Sequence, residues 1–476
     1  MTLDIRRSSL RRVLQNFSAL SLAEAVRVGL NGIATIYLAR TLGAESFGIY
    51  GFALAVLGYL TTIVDGGLTV LGTREIARDR SYHERHAKTF LGLRLVLAIV
   101  AFSMLLVFVI VINKGEQVER VILLTSFSLF TYALTLDWIF YGLEKAQFVA
   151  AASVLKVAVF VGAVLLLIRS AEHIWLAPLL QASGEAVAVV WLGSIYITRF
   201  GWLWPSLNWQ AWRKLFLEAL PIGLSQVMRI VNYSFSVLAI GFMLNETAVG
   251  WFVAAQKLVM FALGFGALYF IAYLPSISRT FHESLEYLQI FLSRSIYQTA
   301  LFTLPLALGT TILAERLIAL IYGADYGPSA QALQVLIWSV PVIVAGSHFR
   351  YALIAANLQR LKLVLDALSA LTNIVLTVLL IPASGLLGAA LATIIAEAVL
   401  TVLYYVFTVR RIAPLSFIGH WPRVFCATGL MGIAVWLTQN WGVPLAVAIG
   451  GLVYFSLLLA VGEIQPRQIV RLFRAP

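Results

Sequence analysis

Charge is what this sequence has least of. Lysine, arginine, aspartate and glutamate make up 12% of its 476 residues, against about 25% in an ordinary soluble domain. That density is too low to cover the surfaces of the three or so soluble domains that the length would otherwise suggest. Cysteine is nearly absent as well. Cys426 stands alone, which excludes an intrachain disulfide and a cysteine-built metal site. No Gly-x-x-x-x-Gly-Lys loop and no Rossmann fingerprint occur, so energy would have to come from ion gradients, the membrane potential or the substrate's own gradient. Gly264 and Gly266 form a bare Gly-x-Gly in an apolar run and read as packing glycines. Neither a Ser-His-Asp set nor a paired-carboxylate site can be argued, so the reading is not an enzyme, with no cofactor. His83 and His86, three apart in a charged stretch, read as part of a solvated loop rather than a metal site.

What is there is hydrocarbon. Hydrophobic residues make up 61% of the chain, and the mean hydropathy is +0.91. Apolar runs of about 20 residues, enough to cross a bilayer, follow one another along the sequence. We place fourteen spans at 13–39, 47–70, 90–112, 120–142, 147–168, 175–198, 215–242, 250–274, 295–314, 330–356, 363–381, 386–409, 423–439 and 443–462. The expected fold class is an all-α polytopic membrane protein. Arg6-Arg7-Ser8-Ser9-Leu10-Arg11-Arg12 resembles a signal-peptide start. The stretch after it carries Glu24 and Arg27 and lacks a small-residue cleavage site, so it reads as a retained first span.

The formal net charge is +12. In a soluble protein this would suggest nucleic acid; here the positions of the bases explain it. With fourteen spans and the N-terminus inside, twenty-three Lys and Arg fall on inside segments, from Arg6 and Arg7 through Arg74, Arg78, Arg80, Arg85 and Lys88 to Arg467, Arg471 and Arg474. Five fall outside: Arg40, Lys114, Arg120, Arg169 and Arg316. That asymmetry predicts an inner-membrane protein with both termini cytoplasmic, and it removes the need for a nucleic-acid partner. Trp202, Trp204, Trp209, Trp212, Trp421 and Trp441 fall at span ends and read as interface anchors. The Asn245-Glu246-Thr247 sequon is short enough to arise by chance.

The chain also repeats itself. A shift of 202 residues lays Leu42 on Leu244, Gly48 on Gly250, Tyr50 on Phe252, Arg27 on Arg229 and Glu24 on Gln226. At 201, Ile76 and Arg78 fall on Ile277 and Arg279. Six spans separate the copies, an even number, so the halves enter the membrane from the same side. This predicts parallel repeats, with a substrate site near mid-membrane between them. The expected domains are 1–212 (spans 1–6), 213–409 (spans 7–12), and 410–476 (spans 13–14 and a cytoplasmic tail).

Ionisable side chains in mid-span cost about 2.5–3.5 kcal/mol each on insertion scales, so each calls for a cavity or a partner. Arg27, with Asn31 one turn on, and Arg229, with Tyr233 one turn on, are the first candidates for substrate binding. Lys156 and Lys257 are the second. For Arg27 the plainer reading is a pair with Glu24 on the same helix, and Lys156 and Lys257 could instead snorkel or pair with Glu185. Arg94 and Arg350 read as snorkelling anchors near span ends. Among the acids, Asp65 and Asp137 lie near cytoplasmic ends, where capping or gating fits. Glu185 and Glu397 lie deeper and could carry a coupling proton or cation; Glu24 joins this gating set through Arg27. The mid-membrane balance is cationic, which favours an anionic head group, since the guanidinium fork matches phosphate.

Several segments resemble the polysaccharide-biosynthesis (Wzx-type) flippases of the superfamily that also holds MATE exporters and the lipid II flippase. They are Leu42-Gly43-x-x-x-Phe47-Gly48-x-Tyr50; Asp65-Gly66-Gly67-Leu68 with Thr73-Arg74-Glu75-Ile76-Ala77-Arg78; Gly250-Trp251-Phe252 with Ala255-x-Lys257-Leu258 and Pro275; and Tyr322-Gly323-x-x-Tyr326. The resemblance implies two six-helix lobes around a central cavity with a lateral opening for a lipid tail, plus two extra helices. It implies movement of undecaprenyl-pyrophosphate-linked oligosaccharide, such as an O-antigen repeat unit, to the periplasmic leaflet. It also implies cavity bases on the first span of each lobe, the places of Arg27 and Arg229. Its implied partners are that glycan lipid, membrane lipids, and a polysaccharide polymerase with chain-length proteins. The rival readings are a MATE-type exporter of organic cations, which would want uncompensated acids, and a membrane polymerase or glycosyltransferase, which would want a large outside loop.

Overall fold

The computed structural model describes residues 2–412, 414 and 421–462, with side chains from Ala23 onward except some within 265–283. The expected tail arginines Arg467, Arg471 and Arg474 and the side chains of Arg6, Arg7, Arg11 and Arg12 lie outside what is described. Every element among the described residues is a helix. The chain forms two compact units, Met1–Val253 and Ala254–Pro476.

The first unit holds α1 (Thr2–Asp65), α2 (Leu68–Arg78), α3 (Tyr82–Ile112), α4 (Glu116–Thr125), α5 (Phe127–Ala133), α6 (Asp137–Gly142), α7 (Ala146–Leu167), α8 (Leu176–Phe200), α9 (Trp209–Met243) and the start of α10 (Glu246–Glu283). The second holds the rest of α10, then α11 (Leu285–Ile321), α12 (Ser329–Leu336), α13 (Ser339–Ala355), α14 (Gln359–Arg411), α15 (Trp421–Thr438) and α16 (Val443–Ala460).

Eleven helical segments among the described residues are long and apolar enough to cross a membrane, so this is a multi-pass membrane protein. Fourteen separate spans are not what the helices give. Two of them are too long to be straight. At 1.5 Å per residue, the 64 residues of α1 and 53 of α14 would reach about 96 and 80 Å, against about 30 Å of hydrocarbon. Both bend on one glycine: Gly43 (φ 75, ψ 171) in α1 and Gly385 (φ 56, ψ −128) in α14. Only a residue without a Cβ takes such angles freely. Elsewhere the expected spans are more broken than their hydropathy suggests. The span at 120–142 is three short helices, α4 to α6. The long loop expected after span 2 is mostly helix, with 79–81 alone between α2 and α3. There Asp79 accepts from the Ser81 N–H and Oγ–H and pairs with Arg85. These contacts, the Ser81 bonds above all, lower its carboxyl pKa.

Aromatic stacking holds the first unit's core. Phe90 of α3 stacks on Trp138 of α6 at 4.4 Å, and both are fully buried. Gly72 of α2 makes room for them: a Cβ there would lie 2.8 Å from Trp138 Cζ3 and 3.0 Å from Phe90 Cε1. Trp212, expected at the interface, joins this core at 8% exposure, packed over Gly92. Trp202, Trp204, Trp209 and Trp441 are exposed as anchors should be. In the second unit, His348 is fully buried between Phe270 and Tyr273, each centroid 5.0 Å away. Tyr454 of α16 ties back to α11 by donating to the Leu301 carbonyl at 2.7 Å.

Candidate functional site

Four groups of ionisable side chains lie within the spans, and their partners differ. On α1 the Arg27 fork meets Glu24 through two hydrogen bonds, Nε to Oε2 at 2.8 Å and Nη2 to Oε1. The pair is part-exposed, at 39% and 32%. Glu24 and Arg27 are three apart and so share a helix face, and Asn31 donates its Nδ2 to the Arg27 carbonyl at 3.0 Å. The plainer expectation for Arg27, a pair on its own helix, is therefore the geometry found, and Asn31 is turned onto the backbone.

Arg229 has no such neighbour. It lies on α9 with its side chain exposed, and no carboxylate pairs with it among the described residues. The next residue, Ile230, packs against Gly58 of α1 at 3.2 Å from the position a Cβ would take, so α9 lies close on α1 beside Arg229. Tyr233, one turn on, is 38% exposed. Lys257 of α10, in the second unit, is half-buried and has no ion-pair partner among the described residues.

The third group is a network across four helices. Lys156 Nζ (α7) lies 3.0 Å from Glu185 Oε1 (α8). Thr131 donates to Glu185 Oε2 at 2.8 Å. Gln181 donates to Glu185 at 3.5 Å and accepts from the Tyr50 hydroxyl at 2.6 Å. Both charges are thus satisfied within the unit.

The fourth group corrects an expectation. Arg94 does not snorkel: it is fully buried, and its Nη2 lies 2.8 Å from Asp65 Oδ1, also buried at 2%. Arg94 also donates to the Thr135 carbonyl at 3.2 Å and to Thr69 Oγ1. Asp65 accepts the backbone N–H groups of Gly67 and Thr69, each at 3.2 Å. It therefore starts α2 while holding α3. A buried pair of this kind is stable only with its remaining hydrogen bonds in place. Asp137 is the first residue of α6. Glu397 lies half-buried in α14, with no hydrogen-bonded base among the described residues. Near it, Asp366 is held by Lys362 Nζ at 2.5 Å and by the Tyr404 hydroxyl.

Sequence reasoning missed the Asp65–Arg94 pair and a second pair, Lys114 Nζ to Glu246 Oε1 at 2.6 Å. Partners 29 and 132 residues apart leave no local spacing signal. His83 and His86 sit at the start of α3 rather than in a solvated loop, with His83 buried and 3.2 Å from the Tyr196 hydroxyl. No group of metal ligands occurs among the described residues. An apolar groove of about 790 Å³ opens between α1, α3 and α9, lined by residues including Val56, Tyr59, Ile99, Met104, Phe108 and Leu238.

A family model described as polysaccharide biosynthesis protein matches residues 13–281. The chain belongs to that family. Its relatives include a protein of Haloferax volcanii named as a probable low-salt glycan biosynthesis flippase, Agl15, 26% identical over 84% of this chain and 83% of that one. Another, in Escherichia coli (strain K12), is named as a candidate O-antigen transporter, 24% identical over 69% of this chain and 83% of its own length. Among solved structures, the lipid II flippase MurJ in an inward closed conformation matches with a TM-score of 0.76 at 17% identity, covering 92% of this chain and 97% of that one. An inward-facing multidrug MATE transporter of the MOP superfamily matches with a TM-score of 0.66 at 15% identity, over 82% and 98%. The fold is that of this superfamily, and the family is one of transporters, not enzymes.

Proposed function

We propose that the protein is a flippase that carries an undecaprenyl-pyrophosphate-linked oligosaccharide from the cytoplasmic to the periplasmic leaflet by alternating access. The observation that carries the proposal is Arg229, a guanidinium within an apolar span, exposed and without a carboxylate among the described residues. A permanent cation placed there needs a visiting anion, and pyrophosphate matches its fork. The names of the glycan-handling relatives support the same cargo class.

On this reading Arg27 and Arg229 hold the pyrophosphate, with Asn31 and Tyr233 one turn on, and Lys257 and Lys156 are the further bases. The tail runs in hydrocarbon, for which the groove beside Tyr59 and Met104 offers a wall. The crossings number fourteen, α1 and α14 each supplying two. The chain sits in the inner membrane with both termini cytoplasmic, and its repeats fall at 1–212 and 213–409. Glu24, Asp65 and Glu185 are held by bases; this supports reading them as scaffold and gating, with Asp137 and Glu397 as the ion-coupling acids. Export of organic cations needs acids free of bases, and the pairing takes Glu24, Asp65 and Glu185 out of that set.

The test is reconstitution. Vesicles holding only this protein and a fluorescent polyprenyl-pyrophosphate-linked sugar should expose the label to an impermeant quencher. Arg229→Ala should slow that exposure at equal protein level. Equal rates in wild type and Arg229→Ala would remove the cation claim, and no transfer in wild type would remove the flippase.

A further inference from the structure

The two mid-span arginines that the 202-residue shift lays on each other differ in one neighbour. Three residues before Arg27 stands Glu24, and three residues before Arg229 stands Gln226. Residues three apart share a helix face, so each arginine has that neighbour in reach on its own helix, α1 or α9. Glutamate and glutamine have nearly the same shape, and only one of them is charged. Both helices belong to the first compact unit.

Glu24 holds Arg27 much as a phosphate would. The guanidinium donates Nε to one carboxylate oxygen at 2.8 Å and Nη2 to the other, the two-bond fork that also fits phosphate oxygens. A head group that reaches Arg27 meets a charge already answered and an edge already taken. The pair is built for exchange rather than for support. Asp65 and Arg94 are buried, and each has further bonds: Asp65 accepts from the Gly67 and Thr69 backbones, and Arg94 donates to the Thr135 carbonyl. Among the described residues, the side chains of Glu24 and Arg27 hydrogen-bond only to each other, and they are 32% and 39% exposed. Ion pairs so open to water are weak ones, so a phosphate can displace the carboxylate at a modest penalty.

We propose that Glu24 is a built-in competitor for the head group. It fills the Arg27 fork while the site is empty, yields it when a phosphate binds, and holds the affinity below what two free arginines would give. Arg229, with neutral Gln226 in the matching place, carries no such competitor. A carrier must let go of what it binds, and a carboxylate that reclaims its arginine supplies the return. The proposal rests on the reading that Arg27 and Arg229 hold the pyrophosphate, and adds which residue sets how tightly.

The test uses the full chain in detergent and isothermal titration calorimetry. The probe is geranylgeranyl diphosphate, with geranylgeraniol as its uncharged control. Wild type should bind the diphosphate more tightly than the alcohol. Glu24→Gln keeps the shape and removes the charge; it should tighten the diphosphate about five-fold (~1 kcal/mol) and leave the alcohol unchanged. Gln226→Glu gives Arg229 the partner that Arg27 has, and should weaken the diphosphate by a similar factor. The two changes together should return the wild-type constant. A glutamate that merely props α1 would show instead as a lower melting temperature with no gain in affinity. Glu24→Gln that binds the diphosphate no more tightly than wild type overturns the competitor. Where that variant is too unstable to titrate, Gln226→Glu decides, and undiminished binding there overturns it as well. A wild type that binds diphosphate and alcohol alike removes the pyrophosphate site itself. A wild type that prefers the diphosphate, with no change in either variant, removes only the part given to Glu24.

Discussion

Arg229 and Arg27 are the same residue type 202 positions apart, and their surroundings make them unequal. Among the described residues Arg229 has no acid to lose, so Arg229→Ala should leave membrane protein levels near normal while transfer falls ten- to a hundred-fold. That is the range set by the ~1.5–3 kcal/mol of a charged hydrogen bond. Arg27→Ala strands Glu24 and should lower protein level as well; Glu24→Gln combined with Arg27→Gln should restore the level without restoring transfer. Quantitative immunoblots beside the quencher assay separate the two effects. For the buried pair, Asp65→Ala should destabilise by about 3–5 kcal/mol, because it leaves the Arg94 guanidinium uncompensated. Replacing both by Asn and Met should do less harm, read as the melting temperature in detergent. At this scale the sequence told which residues matter but not what they touch. Arg94 looked like an anchor because a lone arginine near a span end usually is one, and its partner on α1 is a matter of tertiary packing. Glu24 was legible because its partner is three residues away on the same helix.

At the scale of elements, hydropathy located the apolar segments and missed how they are joined. A bend made by one residue gives no polar stretch, so the turns at Gly43 and Gly385 are invisible to a search for loops. Breaks within a span, as between α4, α5 and α6 or between α12 and α13, are hidden because each is one to three uncharged residues long: Ser126, then Leu134, Thr135 and Leu136, and Ile337 with Trp338. These bends make a prediction. Gly385→Ala forces an alanine to φ 56, ψ −128, outside its ordinary regions, and should cost about 1–3 kcal/mol. Gly72→Ala should cost a similar ~1–3 kcal/mol by overpacking Trp138 and Phe90. Both are read as thermal melts, and Gly429→Ala, which meets nothing within 4 Å, is the control. The matching glycines Gly48 and Gly250 were legible in the sequence; that they lie on one another was not, since a shared spacing does not say where two helices cross.

For the molecule as a whole, the excess of Lys and Arg on alternate segments predicts its orientation. The exposed Cys426 lies three residues beyond Arg423, on the side assigned to the cytoplasm. Engineered cysteines at Lys114 and Arg316 should react with an impermeant maleimide from the outside of intact cells, and one at Arg80 only after permeabilisation. Moving about two negative charges outward, an inside-negative potential contributes about 2.3 kcal/mol per charge per 100 mV. Collapsing the potential with an ionophore should therefore slow export, and an unchanged rate would mean that a counter-ion travels with the cargo. The described segments outside helices are short, the longest running over 201–208.

A chain that changes course on a lone glycine has no slack at that corner. Epitope tags or fluorescent fusions inserted at Gly43 or Gly385 would have to push apart two helices with no spare residues to absorb them. The 201–208 stretch can take such an insert, since Trp202, Trp204 and Leu207 there are exposed. Among the described residues, a reporter or a protease acting from the cytoplasmic side has its best purchase at 201–208, the longest stretch outside the helices.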